Sequence, residues 1–397
     1  MKITDVKAYI LKTKFTSEWP SVQSQTNALM YYEEYTNALP RYLRAPLLKT
    51  PDAPGETSKI MLEITTDEGI SGIHLPVEQE HQANLAVGFK DILVGKDPLA
   101  IRTIWDMMDR ANVRARVGLV TSAIAAIDNA LWDLKGKVAG MPVYKLLGGG
   151  RKRIRPYIST LGCSVDDMEE VKKMALKLKD EGITGQKWFF KYCPAHGYEG
   201  KNKNLELAYT LRETLGEDYD LMFDAWAAWD LSYCLDIFPE LEAMRPAWIE
   251  EPLRADRIET YKMLKNHTSV PISLGEKLFN RFELHAFLKE RVVDVYQPEP
   301  EIAGGITEVM RMGELCELYG VKFLPHGLSL MPNLSVSAAM SPDITPSIEW
   351  LARAVPGNIW LHKNAPAIEN GWIDLNDAPG LFHLDESKVI SAEEVEF

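Results

Sequence analysis

The sequence predicts an α/β protein: a TIM-like (β/α) barrel with an α+β capping domain built from the N-terminal region and the C-terminal tail. From about residue 153, eight short apolar runs alternate with helical patterns, as parallel strands alternate with the helices that connect them. Eight such units are the number that closes a sheet into a barrel. This rhythm is missing before residue 153 and after about residue 353, so both ends of the chain are expected outside the barrel.

Each of the eight runs is short and apolar enough for a buried strand. They are residues 155–159, 185–190, 221–224, 247–250, 272–275, 292–297, 322–325 and 347–351. Helical patterns lie between most of them, for example at 164–180, 204–215 and 305–319. We therefore predict a capping domain at 1–125, a catalytic barrel at 126–354 and a tail at 355–397 that packs on the capping domain.

The region before the barrel has α+β character. Residues 2–12 alternate like a strand, and residues 59–66 and 69–76 flank a turn signal at Asp67-Glu-Gly69, which predicts a hairpin. Helical patterns follow at 82–94, 98–112 and 122–140, and the last of these is the strongest. Residues 15–54 lack strong periodicity and predict a long connection.

Charge and composition exclude several classes of partner. The 57 Asp and Glu residues outnumber the 44 Lys and Arg residues, which gives a formal charge of −13. A chain this acidic, without a long basic run, is a poor candidate for binding nucleic acid or an anionic membrane. The N-terminus has no apolar stretch like that of a signal peptide, no segment reaches the length of a membrane span, and the four cysteines are scattered. We therefore expect a cytoplasmic protein.

Three carboxylates follow consecutive predicted strands at a constant spacing. Asp224, Glu250 and Glu276 are 26 residues apart, and each ends a short apolar run. That spacing fits one strand, one loop and one helix, so the three side chains should meet at the carboxyl-terminal face of the barrel, where active sites are built. Converging carboxylates repel one another unless a cation lies between them, and oxygen ligands of this type suit Mg²⁺. The pattern predicts a magnesium site.

A carboxylate and a histidine follow two of the later predicted strands. Glu299 follows the sixth predicted strand and His326 the seventh, so the two are expected to be neighbours. A carboxylate beside a histidine fixes its tautomer and favours its protonated form, which strengthens it as a base. Lys187, on the second strand, is placed to stabilise a developing oxyanion from the opposite side of the barrel.

A magnesium ion that faces a histidine base indicates proton abstraction beside a carboxylate. The metal would bind the substrate carboxylate, His326 would take the proton from the adjacent carbon, and the metal and Lys187 would stabilise the enediolate. Reprotonation would make the enzyme a racemase, whereas loss of a β-hydroxyl would make it a dehydratase. Glu349, which ends the eighth strand, is a candidate substrate contact, and His196, in the loop after the second strand, is a candidate second acid or substrate contact.

A set of motifs runs along the chain between about residues 120 and 330. They are Ala-Ile-Asp-Asn-Ala-Leu-Trp-Asp-Leu-Lys-Gly-Lys at 126–137, Pro-Val-Tyr-Lys-Leu-Leu-Gly-Gly at 142–149, Leu-Met-Phe-Asp-Ala-Trp at 221–226, Trp-Ile-Glu-Glu-Pro at 248–252, Gly-Glu at 275–276, Gln-Pro-Glu at 297–299, Gly-Gly-Ile-Thr at 304–307 and Pro-His-Gly at 325–327. In these motifs, which occur in order and at family spacing, the chain resembles the enolase superfamily, mandelate racemase subgroup, and within it the acid-sugar dehydratases of the L-rhamnonate dehydratase type.

The resemblance implies one Mg²⁺ per subunit. In the Trp-Ile-Glu-Glu-Pro motif the family ligand is the Glu two places before proline, which is Glu250 and not Glu251. The resemblance also implies a homo-oligomer, a capping domain, and an early loop that covers the mouth of the barrel. Arg41 and Arg44 lie on that loop and are therefore candidate substrate contacts.

Three departures from the family pattern refine the prediction. Phe189 stands where the racemases have a second lysine, so only one base remains and dehydration is favoured. Glu299 stands where the acid beside the histidine is usually Asp. Lys277 stands where the rhamnonate enzymes have histidine, so we expect a substrate other than rhamnonate.

The sequence therefore predicts a lyase of carbohydrate acid catabolism: a Mg²⁺-dependent dehydratase that converts an aldonate-type sugar acid to a 2-keto-3-deoxy acid. The first alternative is a racemase, epimerase or cycloisomerase of the same superfamily that acts on another carboxylate. The second is an aldolase-type barrel that forms a Schiff base through Lys187 or Lys277. The third is a barrel without enzymatic activity.

Overall fold

A computed structural model describes residues 1–19, 55–78, 80–111, 113 and 116–395. The candidate contacts Arg41 and Arg44 lie outside these ranges. Within them, none of the helices combines the length and the apolar character that a membrane crossing requires.

A four-stranded antiparallel sheet forms the core of the N-terminal region. Its strands are β1 (Ile3–Lys14), β2 (Glu56–Thr66), β3 (Ser71–Val77) and, from the end of the chain, β14 (Val389–Glu394). The order is β14-β1-β2-β3, so the tail supplies one edge of the sheet. Strands β2 and β3 pair directly across the Asp67-Glu-Gly69 turn, which confirms the predicted hairpin.

Helices cover this sheet on the side that faces the rest of the chain. They are α1 (Glu80–Gly88), α2 (Lys90–Leu93), α3 (Ile101–Ala111), α4 (Leu119–Ala139) and α5 (Val143–Leu146). Helix α4 packs so closely on β3 that a Cβ at Gly72 would lie 2.1 Å from the backbone oxygen of Ala130. It ends at Gly140, whose left-handed φ of 64° favours glycine.

Eight parallel strands follow, each at the position where the sequence predicts one. They are β4 (Arg153–Ser159), β5 (Gly185–Phe189), β6 (Asp220–Asp224), β7 (Trp248–Glu250), β8 (Ile272–Leu274), β9 (Val295–Tyr296), β10 (Lys322–Phe323) and β11 (Ser347–Leu351). Strands β4 to β10 pair consecutively, and β11 pairs back onto β4.

The closure between β10 and β11 differs from the prediction. Across this seam the residues of the two strands form no ladder, and a single backbone hydrogen bond runs from Phe323 N to Ile344 O at 2.9 Å. The next backbone nitrogen on that side of β10 belongs to Pro325, and β11 is preceded by Pro346. Neither proline has an N–H group, so neither can continue the ladder.

Helices surround the barrel strands. They are α6 (Met168–Asp180), α7 (Gly197–Leu215), α8 (Leu231–Glu242), α9 (Ile258–Lys265), α10 (Arg281–Glu290), α11 (Gly305–Tyr319) and α12 (Leu330–Ala339). Helix α4 also anchors the start of α11, because Asp128 Oδ2 accepts a hydrogen bond from Thr307 N at 2.8 Å and Asn129 Oδ1 accepts one from Ile306 N at 3.1 Å.

The tail contacts both parts of the chain. After α13 (Val355–Ile359) come β12 (Ile368–Glu369) and β13 (Trp372–Asp374). Strand β13 pairs antiparallel with β4 of the barrel, whereas β14 pairs with β1. The tail therefore packs on the N-terminal sheet as expected, but it also extends the barrel sheet. The predicted domain limits stay a prediction.

Candidate active site

The three predicted metal ligands end neighbouring strands. Asp224 on β6 and Glu250 on β7 are direct partners in the parallel ladder, and Glu276 lies two residues after β8. The side chains of Asp224 and Glu250 are buried, while that of Glu276 is 18% exposed. Because adjacent parallel strands present aligned residues to the same side, these carboxylates share one end of the barrel.

Lys187 lies one layer deeper and binds several of these acids. Its register partner on β6 is Met222, two residues before Asp224. Its Nζ lies 2.8 Å from Glu250 Oε2, 2.7 Å from Glu349 Oε1 and 3.5 Å from Asp224 Oδ2. Burial alone would lower the pKa of Lys187, but these carboxylates outweigh burial and raise it well above its ordinary value. In this arrangement the charged form of Lys187 is therefore favoured.

A second lysine occupies the rim of the acidic cluster. Lys277 Nζ lies 2.6 Å from Glu276 Oε1 and also contacts Glu251 Oε2. Trp226 Nε1 donates to the same Glu276 oxygen at 3.2 Å. Glu251 has a φ of 38°, so a strained backbone conformation turns its side chain toward Lys277 at the end of β7.

The charges of the cluster are unbalanced, which is the condition that a divalent cation would relieve. Among the residues that the structure describes, three cationic groups face six carboxylates, and these are Asp224, Glu250, Glu251, Glu276, Glu299 and Glu349. Burial, with the negative charge of Glu276, raises the pKa of Asp224 and of Glu250 despite the opposing effect of Lys187. The donors are all hard oxygens, which fit Mg²⁺.

The ammonium groups of two lysines hold the predicted metal ligands in place. Lys187 binds oxygens of Asp224 and Glu250, and Lys277 binds Glu276. Among the residues that the structure describes, no three acidic, His or Cys side chains converge on one point as metal ligands do. The donor chemistry thus fits the ion, and coordination would require Glu276 and its neighbours to exchange lysine contacts for metal contacts.

His326 forms the predicted pair with Glu299. His326 Nδ1 lies 3.0 Å from Glu299 Oε2, and Nε2 points to Glu276 Oε2 at 3.1 Å and Glu349 Oε2 at 3.9 Å. Glu299 is held in turn by the backbone amides of Glu301 at 2.9 Å and Leu328 at 3.1 Å. Burial lowers the pKa of His326, but the three facing carboxylates raise it to about 10.

Glu349 links the lysine to the histidine. Its Oε1 binds Lys187, and its Oε2 accepts a hydrogen bond from Gly327 N at 2.9 Å, directly after His326. Burial would raise the pKa of Glu349, but Lys187 and His326 lower it, so the group is ionised and accepts hydrogen bonds. Contact with the substrate carboxylate stays a prediction for Glu349, and it would require a proton on this group.

His196 lies apart from this cluster in its described contacts. It ends the 3₁₀ turn Pro194–His196, where its Nδ1 accepts from Cys193 N at 3.1 Å and its ring meets Tyr192 edge-on. Its role as a substrate contact stays a prediction. The structure instead adds Lys277, Glu251 and Trp226 to the site. Their signal in the sequence was their position directly beside the predicted ligands.

Comparisons with known proteins identify the family. Residues 170–386 match the family described as enolase C-terminal domain-like. Residues 35–148 match the mandelate racemase / muconate lactonizing enzyme N-terminal domain. These two domains, a capping domain and a TIM barrel, confirm the predicted fold class and the resemblance that the motifs indicate.

Individual relatives extend over most of the chain. The arabinonate dehydratase of Saccharolobus solfataricus is 30% identical over 81% of this chain and 87% of its own length. The D-galactonate dehydratase of Ralstonia pickettii is 32% identical over 83% of this chain and 90% of its own length. The crystal structure of the L-talarate dehydratase from Polaromonas sp. JS666, complexed with Mg and L-glucarate, is 25% identical, covers 100% of this chain and 99% of that one, and has a TM-score of 0.77. The chain belongs to the enolase superfamily, in its mandelate racemase subgroup.

Proposed function

We propose that this protein is a Mg²⁺-dependent dehydratase of a sugar acid of the aldonate type, which yields a 2-keto-3-deoxy acid. The observation that carries the proposal is the placement of His326, whose Nδ1 is held by Glu299 while its Nε2 faces the acidic cluster. The curated relatives that act on arabinonate and galactonate support a hydro-lyase of acid sugars.

Asp224, Glu250 and Glu276 are the residues that would hold the ion. When bound, Mg²⁺ would supply positive charge that neutralises the substrate carboxylate, stabilises negative charge that develops beside it, and lowers the pKa of the neighbouring imidazole toward the working range. The talarate dehydratase, whose crystal structure is complexed with Mg, supports this choice of ion.

His326 is the base in this proposal. Its Nε2 takes the proton from carbon 2 of the substrate, and Glu299 keeps Nδ1 protonated and oriented throughout. Lys187, which is held against Glu250, would supply a positive charge that stabilises the enediolate oxygens. Elimination of the hydroxyl on carbon 3 then gives an enol, which becomes the 2-keto product.

On β5, an apolar side chain takes the position where a second base would stand, which favours dehydration over racemisation. The register partner of Asp224 on β5 is Phe189, an apolar side chain. Lys187 is held by three carboxylates, which raise its pKa and favour its protonated form, so it is a poor acceptor for the proton of carbon 2. The same protonation argues against a Schiff base at Lys187, because that chemistry needs a neutral amine.

The proposal is tested by incubating the purified protein with a panel of pentonates, hexonates and aldarates, with Mg²⁺ and with EDTA, and by measuring 2-keto acid as the semicarbazone. We expect keto product from at least one aldonate, with loss of turnover in EDTA and recovery on adding Mg²⁺. Exchange of the carbon 2 proton in D₂O without keto product would show a racemase or epimerase instead. Cytoplasmic location and homo-oligomeric assembly stay predictions.

A further inference from the structure

A cavity of about 260 Å³ lies between the capping sheet and the loop that follows His326. Lys59 of β2 and Glu78, directly after β3, line it from the capping side. Leu328 and Ser329 line it from the barrel side. Because Leu328 N donates to Glu299, the wall of the cavity is bonded directly to the residue that orients His326.

Glu78 is fixed at its backbone but not at its carboxyl. Its N–H donates to Glu301 Oε1 at 3.0 Å, so the capping strand is tied to the segment that carries Glu299. Its side chain is exposed to the cavity and, within the described part of the chain, makes no hydrogen bond or ion pair. The nearby Glu301 differs, since its Oε2 binds His74 Nε2 at 2.5 Å and Ser329 Oγ at 3.1 Å.

The surroundings of Glu78 favour its protonated form. Its side chain keeps an accessible surface in the cavity, but the protein around it disfavours the charged form and raises the pKa of Glu78 to about 7. The charges of Glu301, Glu299 and Glu276 add to this effect, whereas His326 opposes it. The cavity also holds Lys59, whose Nζ donates to Asn358 Oδ1 at 2.9 Å, and the carboxyl of Glu80. A carboxylic acid with a pKa near the working pH is suited to donate a proton in catalysis.

The dehydration needs such a donor, because hydroxide is a poor leaving group. After His326 has taken the proton from carbon 2, its Nε2–H faces Glu276 and Glu349 on the side of the acidic cluster. The cavity is lined by Leu328 and Ser329, which follow His326 by two and three residues. We expect the carbon chain of a substrate whose carboxylate lies at the cluster to extend toward it.

We infer that Glu78 is the general acid that protonates the departing hydroxyl on carbon 3, and this inference rests on the proposed function. The carboxyl proton of Glu78 moves to the hydroxyl oxygen while the bond between carbon 3 and oxygen breaks, and water leaves. The electron pair of the enediolate forms the double bond between carbons 2 and 3 and restores the carboxylate. Ketonisation moves the proton of the enol hydroxyl to carbon 3. His326 releases the proton from carbon 2 to solvent, and solvent reprotonates Glu78.

The test compares Glu78→Gln with wild type and with Glu80→Gln, which removes a carboxyl from the same cavity. We expect Glu78→Gln to form keto product about a hundredfold or more slowly, while it still exchanges the carbon 2 proton in D₂O at the wild-type rate. Glu80→Gln should keep both activities. A substrate with fluorine in place of the 3-hydroxyl should restore keto product to Glu78→Gln, because fluoride leaves without full protonation.

The outcomes separate the two proposals. Dehydration by Glu78→Gln at the wild-type rate would overturn the inference alone. The inference would also be wrong if Glu78→Gln lost proton exchange and elimination to the same extent and the fluoro substrate did not restore keto product. Absence of keto product from the wild-type protein with every sugar acid would overturn the proposed function and the inference with it.

Discussion

His326 Nδ1 and Glu299 Oε2 lie 3.0 Å apart, although Glu299 is one methylene longer than the aspartate that the family usually has here. The extra length is accommodated because two backbone amides, those of Glu301 and Leu328, hold the carboxylate in place. The pair is therefore formed by a different side chain with the same charge, and it keeps the ring of His326 oriented toward the acidic cluster.

Replacing Glu299 tests whether this contact activates the base. Glu299→Gln keeps the size of the side chain but removes its charge, so it should lower kcat by about a hundredfold or more. Glu299→Asp keeps the charge on a shorter side chain, so its kcat should lie between that of Glu299→Gln and that of wild type. Glu314→Gln, on the exposed face of α11, is the matched control. Unchanged kcat in Glu299→Gln, measured by keto-acid formation, would remove Glu299 from the mechanism.

Lys187 should be a major source of stability in the absence of divalent metal. Its side chain is 1% exposed among three carboxylates, so Lys187→Met would leave buried negative charges uncompensated. We expect the free energy of unfolding to fall by about 3–5 kcal/mol. Urea denaturation in EDTA measures this loss, with Lys173→Met as the control because Lys173 is 79% exposed. A loss no larger than that of the control would contradict the described contacts.

Mg²⁺ should offset part of that loss. An ion bound to the same carboxylates stabilises the folded state by mass action, and the variant lacks the competing ammonium group. Adding Mg²⁺ should therefore raise the Tm of Lys187→Met more than that of wild type. Equal shifts in Tm would indicate that the ion and Lys187 do not share ligands.

Asp128 should make stability depend on pH. Burial raises its pKa from 3.8 to about 7 in the folded protein. Between these values the unfolded chain releases this proton while the folded chain keeps it, so the free energy of unfolding should fall as pH rises from 4 to 7. Asp128→Asn cannot ionise and should lose this dependence, whereas Asp106→Asn, on the exposed face of α3, should keep it. Urea titrations at several pH values would show the difference, and parallel curves for wild type and Asp128→Asn would contradict it.

The barrel strands and the polar groups at their ends could be predicted because both depend on local pattern. Apolar runs ending in Asp224 and Glu250 gave their positions correctly, and the ladder aligns these two residues. The open seam beside β10 could not be predicted from apolar runs, because it depends on which residues lack an N–H group in the paired register. The contact between Lys277 and Glu251 depends on a positive φ at Glu251, which periodicity does not reveal.

Contacts between the capping sheet and the barrel also could not be predicted from the sequence pattern. Glu78 and Glu301 are 223 residues apart in the sequence and meet only because β3 packs beside the loop after β9. Nothing in the local sequence of Glu78 distinguishes it from an exposed residue that follows a strand. Its relation to His326 therefore became visible only in three dimensions.

Anomalous diffraction from crystals soaked in Mn²⁺, as a substitute for Mg²⁺, tests the central claim most directly. We predict one peak per subunit among the carboxylates of Asp224, Glu250 and Glu276, with Lys277 displaced from Glu276. A structure without a peak at that position, in which Lys187 and Lys277 still hold these carboxylates at saturating Mn²⁺, would contradict it.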